Sequence, residues 1–219
     1  MLNQLLTKLE RKFGRFAIPH LMSIILVGMV VIFCFDILTQ FNPNMTNTVS
    51  SLFAFDLEQI KQGQIWRVIS FVFLPPATSI LFAVFEFYFV WLIGTALENQ
   101  WGSFKFNIYY LIGIIGTVIV GFCTGYATNI YLNLSMFLAF AILFPEFEVY
   151  LFFFIPIKIK WIGLADGILL LVMFIAGGLE TKLLLLVSVL NLVLFFGKDF
   201  FSGIYYRIRK WYYQQKRRK

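Results

Sequence analysis

The stretch "YLNLSMFLAFAILFPE", residues 131–146, puts Asn133 and Ser135 at the head of an apolar run that stops at Pro145. Ser135 is either a nucleophile set in a membrane or a small residue that lets helices approach. An alcohol is a poor nucleophile at neutral pH without a base in hydrogen-bond reach, and the chain holds one histidine, His20. Glu86 lies inside another apolar run, where an ionisable group is costly and marks a functional candidate by default. Ser188 and Asn191 lie in "LLLLVSVLNLVLFFG". Asp36 and Asp166 invite comparison with an aspartyl dyad, whose carboxylates must share a site. They fall near opposite ends of the spans, and neither stands in a Gly-X-Gly-Asp setting. A single histidine excludes the His-Glu-X-X-His pattern of a zinc hydrolase, so neither a metal nor a cofactor is expected.

The elements that must position these groups are membrane helices. Of the 219 residues 60% are hydrophobic and 13% charged, more apolar surface than a soluble domain of this size can hide. The net charge of +7 is confined to a few segments, which argues against a nucleic-acid partner. Cys34 and Cys123 both lie in apolar runs, and two cysteines exclude a disulfide scaffold. The charged N-terminus, with no small-residue cleavage site after the first run, gives no expectation of a cleaved signal.

Six runs qualify as spans: Ala17–Leu38, Ala77–Leu97, Phe104–Thr124, Asn129–Phe144, Ile162–Ala176 and Lys182–Phe196, the last three short. Pro156 and the alternation Ile157/Lys158/Ile159/Lys160 predict an extended interfacial segment between the fourth and fifth. With both termini inside, fifteen Lys and Arg fall on the cytoplasmic side and three outside, Lys61, Arg67 and Lys182. Residues 1–16 read as an amphipathic interfacial helix, with Leu2, Leu5, Leu6, Leu9, Phe13 and Phe16 between Lys8, Arg11, Lys12 and Arg15. Residues 17–197 form the membrane domain, and 198–219 a basic cytoplasmic tail suited to anionic lipids. The charge asymmetry and the absence of a retention signal lean towards a bacterial plasma membrane.

The long first outside loop, roughly Thr39–Pro76, ends in "GQIWRVISFVFLPP". Trp66 is expected at headgroup level, with the Arg67 guanidinium in water and its stem in the apolar zone. Trp66-Arg67, then Gly94…Leu97-Glu98…Trp101-Gly102 across the second-to-third turn, then "LFPE" closing the fourth span, together resemble the rhomboid superfamily over residues 60–197. That superfamily includes intramembrane serine proteases and inactive relatives such as the derlins. The resemblance implies an all-α fold, a six-transmembrane-helix rhomboid-like bundle with a mobile gate near the fifth span and a water-accessible cavity.

The same resemblance implies a catalytic pattern that this chain departs from. Active members attack with a serine in a Gly-X-Ser-Gly setting at the start of the fourth span, and a histidine on the sixth is the base. Here Ser135 stands between Leu134 and Met136, deeper than the family position near Asn129–Tyr131, and the sixth span offers Ser188 and Asn191. Counting back from Glu98 puts Phe82 and Glu86 where the family's His-X-X-X-Asn would fall, and an ionised carboxylate there would repel a forming oxyanion. The expectation is a pseudoprotease, in which no proton acceptor reaches an alcohol near the outer end of the bundle. Glu86 is expected to face the bundle interior, hydrogen-bonded to Asn or Ser of the last three spans. Glu86, Asn133, Ser135, Ser188 and Asn191 are the candidate cavity or client-binding residues, and the partners are membrane-protein clients and anionic lipids. The competing readings are an active rhomboid serine protease using Ser135 or Ser188 with Lys182, and a small polar-lined transporter.

Overall fold

In the computed structural model the described residues are 2–40, 48–75, 79–151 and 155–195, so the basic tail 198–219 lies outside them. They are mostly helical. Helix α1 (Leu2–Phe13) and a short 3-10 turn (Gly14–Phe16) precede α2 (Leu21–Gln40). The first loop carries α3 (Val49–Phe53), α4 (Leu57–Lys61) and α5 (Arg67–Ser70). The helices α6 (Ile80–Trp101), α7 (Ser103–Thr124) and α8 (Ile130–Leu143) follow. A hairpin of β1 (Glu148–Leu151) and β2 (Ile155–Lys158) leads into α9 (Ile159–Ala176), and α10 covers 179–195.

Among the described residues, four helices are long and apolar enough to cross a membrane: Leu21–Thr39, Ile80–Trp101, Ser103–Thr124 and Ile159–Ala176. A helix of about 20 residues rises about 30 Å, the thickness of the hydrocarbon layer. Helix α8, at 14 residues, is shorter. Large apolar side chains such as Val27, Ile119 and Ile175 point outward from helices that also bury apolar faces. Helices apolar on every side suit lipid as their solvent.

Small residues set the helix spacing. A Cβ on Gly94 of α6 would stand 2.2 Å from Met22 Cγ on α2. Gly116 of α7 meets Val187 of α10 in the same way, and Gly163 of α9 meets Ala141 of α8. Without a hydrophobic drive between helices in lipid, such close approach is the main source of association. The core at this level is built from Met22, Leu97, Phe106, Tyr109, Met136 and Phe140.

Three expectations shift. The fifth helix begins at Ile159 rather than Ile162, so it has 18 residues and the extended segment stops at Lys158. That segment is an antiparallel hairpin, pairing Glu148 with Lys158 and Tyr150 with Pro156. Pro156 is tolerated because a two-stranded ladder has only edge strands. Helix α1 is not only a surface anchor: Leu6 is buried, and Glu10 lies 3.9 Å from Lys105 at the start of α7. Phe13 and Phe16 stay exposed, with Lys12 and Arg15 over their rings.

Glu146 closes the hairpin onto the end of α8, taking Lys158 and Lys160 at 2.6 Å each. These two hydrogen bonds pull the Glu146 carboxyl from 4.5 down to about 2. A depressed folded pKa means the clasp stabilises fully above pH 4.5 and is lost as pH falls towards 2. The protection factors of the hairpin amides, measured over that window, should fall on acidification in the native chain and show no such pH step in Glu146→Gln.

Candidate functional site

Ser135 sits on the inward face of α8 and is 2% exposed. Its hydroxyl donates to the Ser188 carbonyl at 3.2 Å, so at 2.5 Å it accepts from the Tyr109 hydroxyl. Asn191 donates to the Tyr109 carbonyl at 3.1 Å. Ser135, Ser188 and Asn191 are thus brought together, with Tyr109 of α7 as the centre of a polar knot joining α7, α8 and α10. In hydrocarbon a hydroxyl must find its partner inside the protein, and this one spends its only proton on a backbone carbonyl. The arrangement fastens helices and offers no base. Tyr109 was missed in the sequence. Its signal is the buried stripe Phe106, Tyr109/Tyr110, Gly113, Thr117 along one face of α7.

Glu86 and Asn133 lie elsewhere. They line a partly open cavity of about 1140 Å³ bounded by α2, the first loop, α6, α8 and the start of α9. Its wall is mainly apolar, with Phe33, Phe82, Phe89, Phe137 and Ile162 among the lining residues. Ser135, Ser188 and Asn191 are absent from that wall. Contrary to expectation, Glu86 is exposed and bonds to no Asn or Ser of the last three helices. The first turns of α6 explain this: Ile80, Leu81, Phe82, Val84 and Phe85 are exposed around a buried Ala83, and Phe87 and Phe89 are the first residues of α6 packed against the main core. Asn133 is half-buried, and its Oδ1 is shielded from solvent without a partner.

The rim of the cavity is tied down by groups from the loop. Asp36, near the end of α2, accepts the Ser50 backbone N–H at 2.9 Å and the Ser50 hydroxyl. A carboxylate therefore touches an alcohol at this end of the bundle, a contact the sequence did not suggest. A carboxylate already taken up by a backbone N–H and the hydroxyl's own proton holds the alcohol in place and is a poor general base for it. It acts here as a cap on α3. His20 is sixteen residues away along α2, about 24 Å of helix rise. Asn129 donates to the carbonyls of Val72 and Leu74 at 3.1 and 2.9 Å, fixing the loop to the head of α8.

Arg67 also departs from expectation. It is 5% exposed rather than in water. Its guanidinium donates to the carbonyls of Ser51 and Ala54 at 2.7 and 2.8 Å and to Gln64 at 2.7 Å. Trp66 is exposed, its indole N–H 3.3 Å from the Leu52 carbonyl. At the opposite end of the bundle Glu98 accepts from the His20 backbone N–H at 2.8 Å and the Ser103 hydroxyl at 2.6 Å. It thereby holds the start of α2, where His20 takes a left-handed φ of 56°, against the α6–α7 turn. Gly102 makes that turn with φ of 83°, and Trp101 stacks on Phe195. Asp166 lies midway along α9, its Oδ2 buried and without a partner among the described residues. Among the described residues no cluster of His, Cys, Asp and Glu could hold a metal.

Comparison with models of known protein families, with curated proteins and with solved structures returns no match.

Two stability outcomes follow from the bonding. Ser135→Ala strands the Tyr109 hydroxyl and should cost about 1–3 kcal/mol by thermal unfolding in detergent. Tyr109→Phe added to it should cost less than the sum of the singles, by roughly 1 kcal/mol of coupling. Arg67→Ala should cost about 3 kcal/mol, and Arg67→Lys should recover little, because an ammonium cannot span three acceptors in a fixed fork.

Proposed function

We propose that the chain is a rhomboid-like integral membrane pseudoprotease that binds membrane-protein clients. In this reading α2, α6, α7, α8, α9 and α10 all cross the membrane with both termini cytoplasmic, in a bacterial plasma membrane. The short α8 then thins the bilayer around it and perturbs local lipid. The order of Trp66-Arg67, Gly94, Glu98, Trp101-Gly102 and "LFPE" supports the family, and each of these groups has a bonding or packing role at a loop or turn, Glu146 of the last through Lys158 and Lys160. The observation that carries the functional reading is a separation. A protease would combine a substrate-sized opening with an activated hydroxyl. Here the opening lies beside α6, while Ser135 is sealed in the knot with its proton on the Ser188 carbonyl.

A fluorophosphonate probe on the detergent-solubilised chain should therefore leave no covalent adduct on any serine, at rates above those of the unfolded chain. Labelling lost in Ser135→Ala or in Ser50→Ala would overturn the inactive assignment. Photo-crosslinking from position 82 in native membranes should capture helical membrane proteins. Recovery of only soluble proteins would count against client binding.

A further inference from the structure

Helix α1 divides its apolar stripe between two neighbours. Leu6 is buried where the helix rests on α7, and Glu10 reaches Lys105 there. Further along the chain the apolar side chains are left uncovered: Phe13 is 41% exposed, Phe16 65% and Ile18 48%. Five residues after Phe16, at Leu21, α2 begins, and α2 is long and apolar enough to cross a membrane. The uncovered rings therefore lie where that helix meets the bilayer surface.

Charge on the same segment is unmatched. Residues 1–20 hold four cations, Lys8, Arg11, Lys12 and Arg15, and one acid, Glu10, which is turned towards Lys105 and Gly102. None of the four cations makes an ion pair or hydrogen bond among the described residues. By contrast Lys105, Lys158 and Lys160, at the same end of the bundle, each stand beside a carboxylate. At about 100° per residue Lys8 is about 200° round the helix from Leu6 and faces away from the bundle, whereas Lys12 flanks the apolar stripe. The Lys12 ammonium lies 5.3 Å from the Phe13 ring centroid, and the Arg15 guanidinium 4.8 Å from that of Phe16. A ring face attracts the charge but gives the N–H groups no strong acceptor, so both cations keep donors to offer.

The pairing of rings and cations narrows the occupant. A soluble acidic partner would meet the cations and leave Phe13, Phe16 and Ile18 in water. A zwitterionic lipid would cover the rings but brings its own cation to the site. An anionic phospholipid answers both, with phosphodiester oxygens for the donors and acyl chains for the rings. We propose that the α1 segment, through Lys12 and Arg15 with Phe13 and Phe16, is a docking surface for anionic phospholipids of the leaflet in which α2 begins. Nothing in this depends on client binding; it requires only that α2 enters a membrane. Glu10 on Lys105, and Glu98 on the His20 N–H, hold the segment against the α6–α7 turn, so the lipid is received at a set place on the edge of the bundle.

The test uses the full-length chain in nanodiscs of equal parts phosphatidylcholine and phosphatidylglycerol with matched acyl chains. The photoreactive residue p-benzoylphenylalanine replaces Phe16, and mass spectrometry identifies the lipid joined to it on irradiation. Phosphatidylglycerol adducts should exceed phosphatidylcholine adducts about fivefold for each cation that reaches the headgroup, hence about 25-fold with Lys12 and Arg15 both engaged. Molar salt should lower that ratio. Lys12→Gln combined with Arg15→Gln should bring the two lipids to parity, while Lys8→Gln, on the far side of the helix, should leave the preference in place. Lys12 and Arg15 are exposed, so the double variant should keep the native melting temperature. Parity in the native chain would overturn the proposal, and so would a preference that survives the double substitution, which would move lipid selection to the basic residues 198–219. Adducts on a protein in place of lipid, in native membranes, would assign the patch to an acidic partner instead. Absence of any lipid adduct would take the segment off the membrane surface and end the proposal.

Discussion

Hydrocarbon offers no hydrogen-bond partner, and the arrangement of this chain depends on that one fact. Each polar side chain placed among apolar helices must be answered from within the protein or left at a cost. The Tyr109–Ser135–Ser188 chain shows the first outcome. Three helices meet at a single hydroxyl, and Asn191 adds a third bond, to the Tyr109 carbonyl. A knot of this kind fixes the rotation of α8 about its axis. It thereby sets which α8 residues face inward and leaves Asn133, two positions earlier, directed towards the cavity.

The ends of the bundle are governed by the same rule applied to backbone groups. Arg67 answers carbonyls at the end of α3, Asp36 answers an N–H near its start, and Asn129 answers two carbonyls where the loop returns to the membrane. A loop of this length could drape loosely over the bundle. Instead α3 is bonded to α2 near its start and to Arg67 near its end, and Thr48, Ser50, Ser51 and Ala54 of the loop form part of the cavity wall. Glu98 performs the matching task at the other end, where one carboxylate serves both the start of α2 and the start of α7.

Much of this was legible from the residues. Apolar runs located the helices, because length and hydropathy are local properties, and Pro156 with alternating Ile and Lys located the hairpin. Gly94, Glu98 and Gly102 stood out only as parts of the motif that carries the resemblance, and the fold gives them a close approach, a buried acceptor and a positive φ. What failed was direction. Arg67 was placed in water because stems of that length usually snorkel, but three carbonyl and amide acceptors within the loop outcompete solvent. Glu86 was placed in the interior because charge avoids lipid, whereas α6 stands off from the bundle over its first turns. Asp36 met Ser50 across a stretch of sequence whose conformation no periodicity reports. Tyr109 passed unremarked because a tyrosine in an aromatic-rich chain carries no signal until its hydroxyl is seen to be buried.

The stand-off of α6 has a physical cause that links the two halves of the molecule. From Phe87 onward α6 packs on α2, where Phe87 meets Phe33 edge-on and Gly94 lets the two backbones approach at Met22. Towards its start Phe82, Phe85, Glu86 and Phe89 share one side of the helix and line the cavity, while Ala83 is buried. Bulky residues at one end and a glycine contact at the other make the helices diverge, and the gap between them is the cavity.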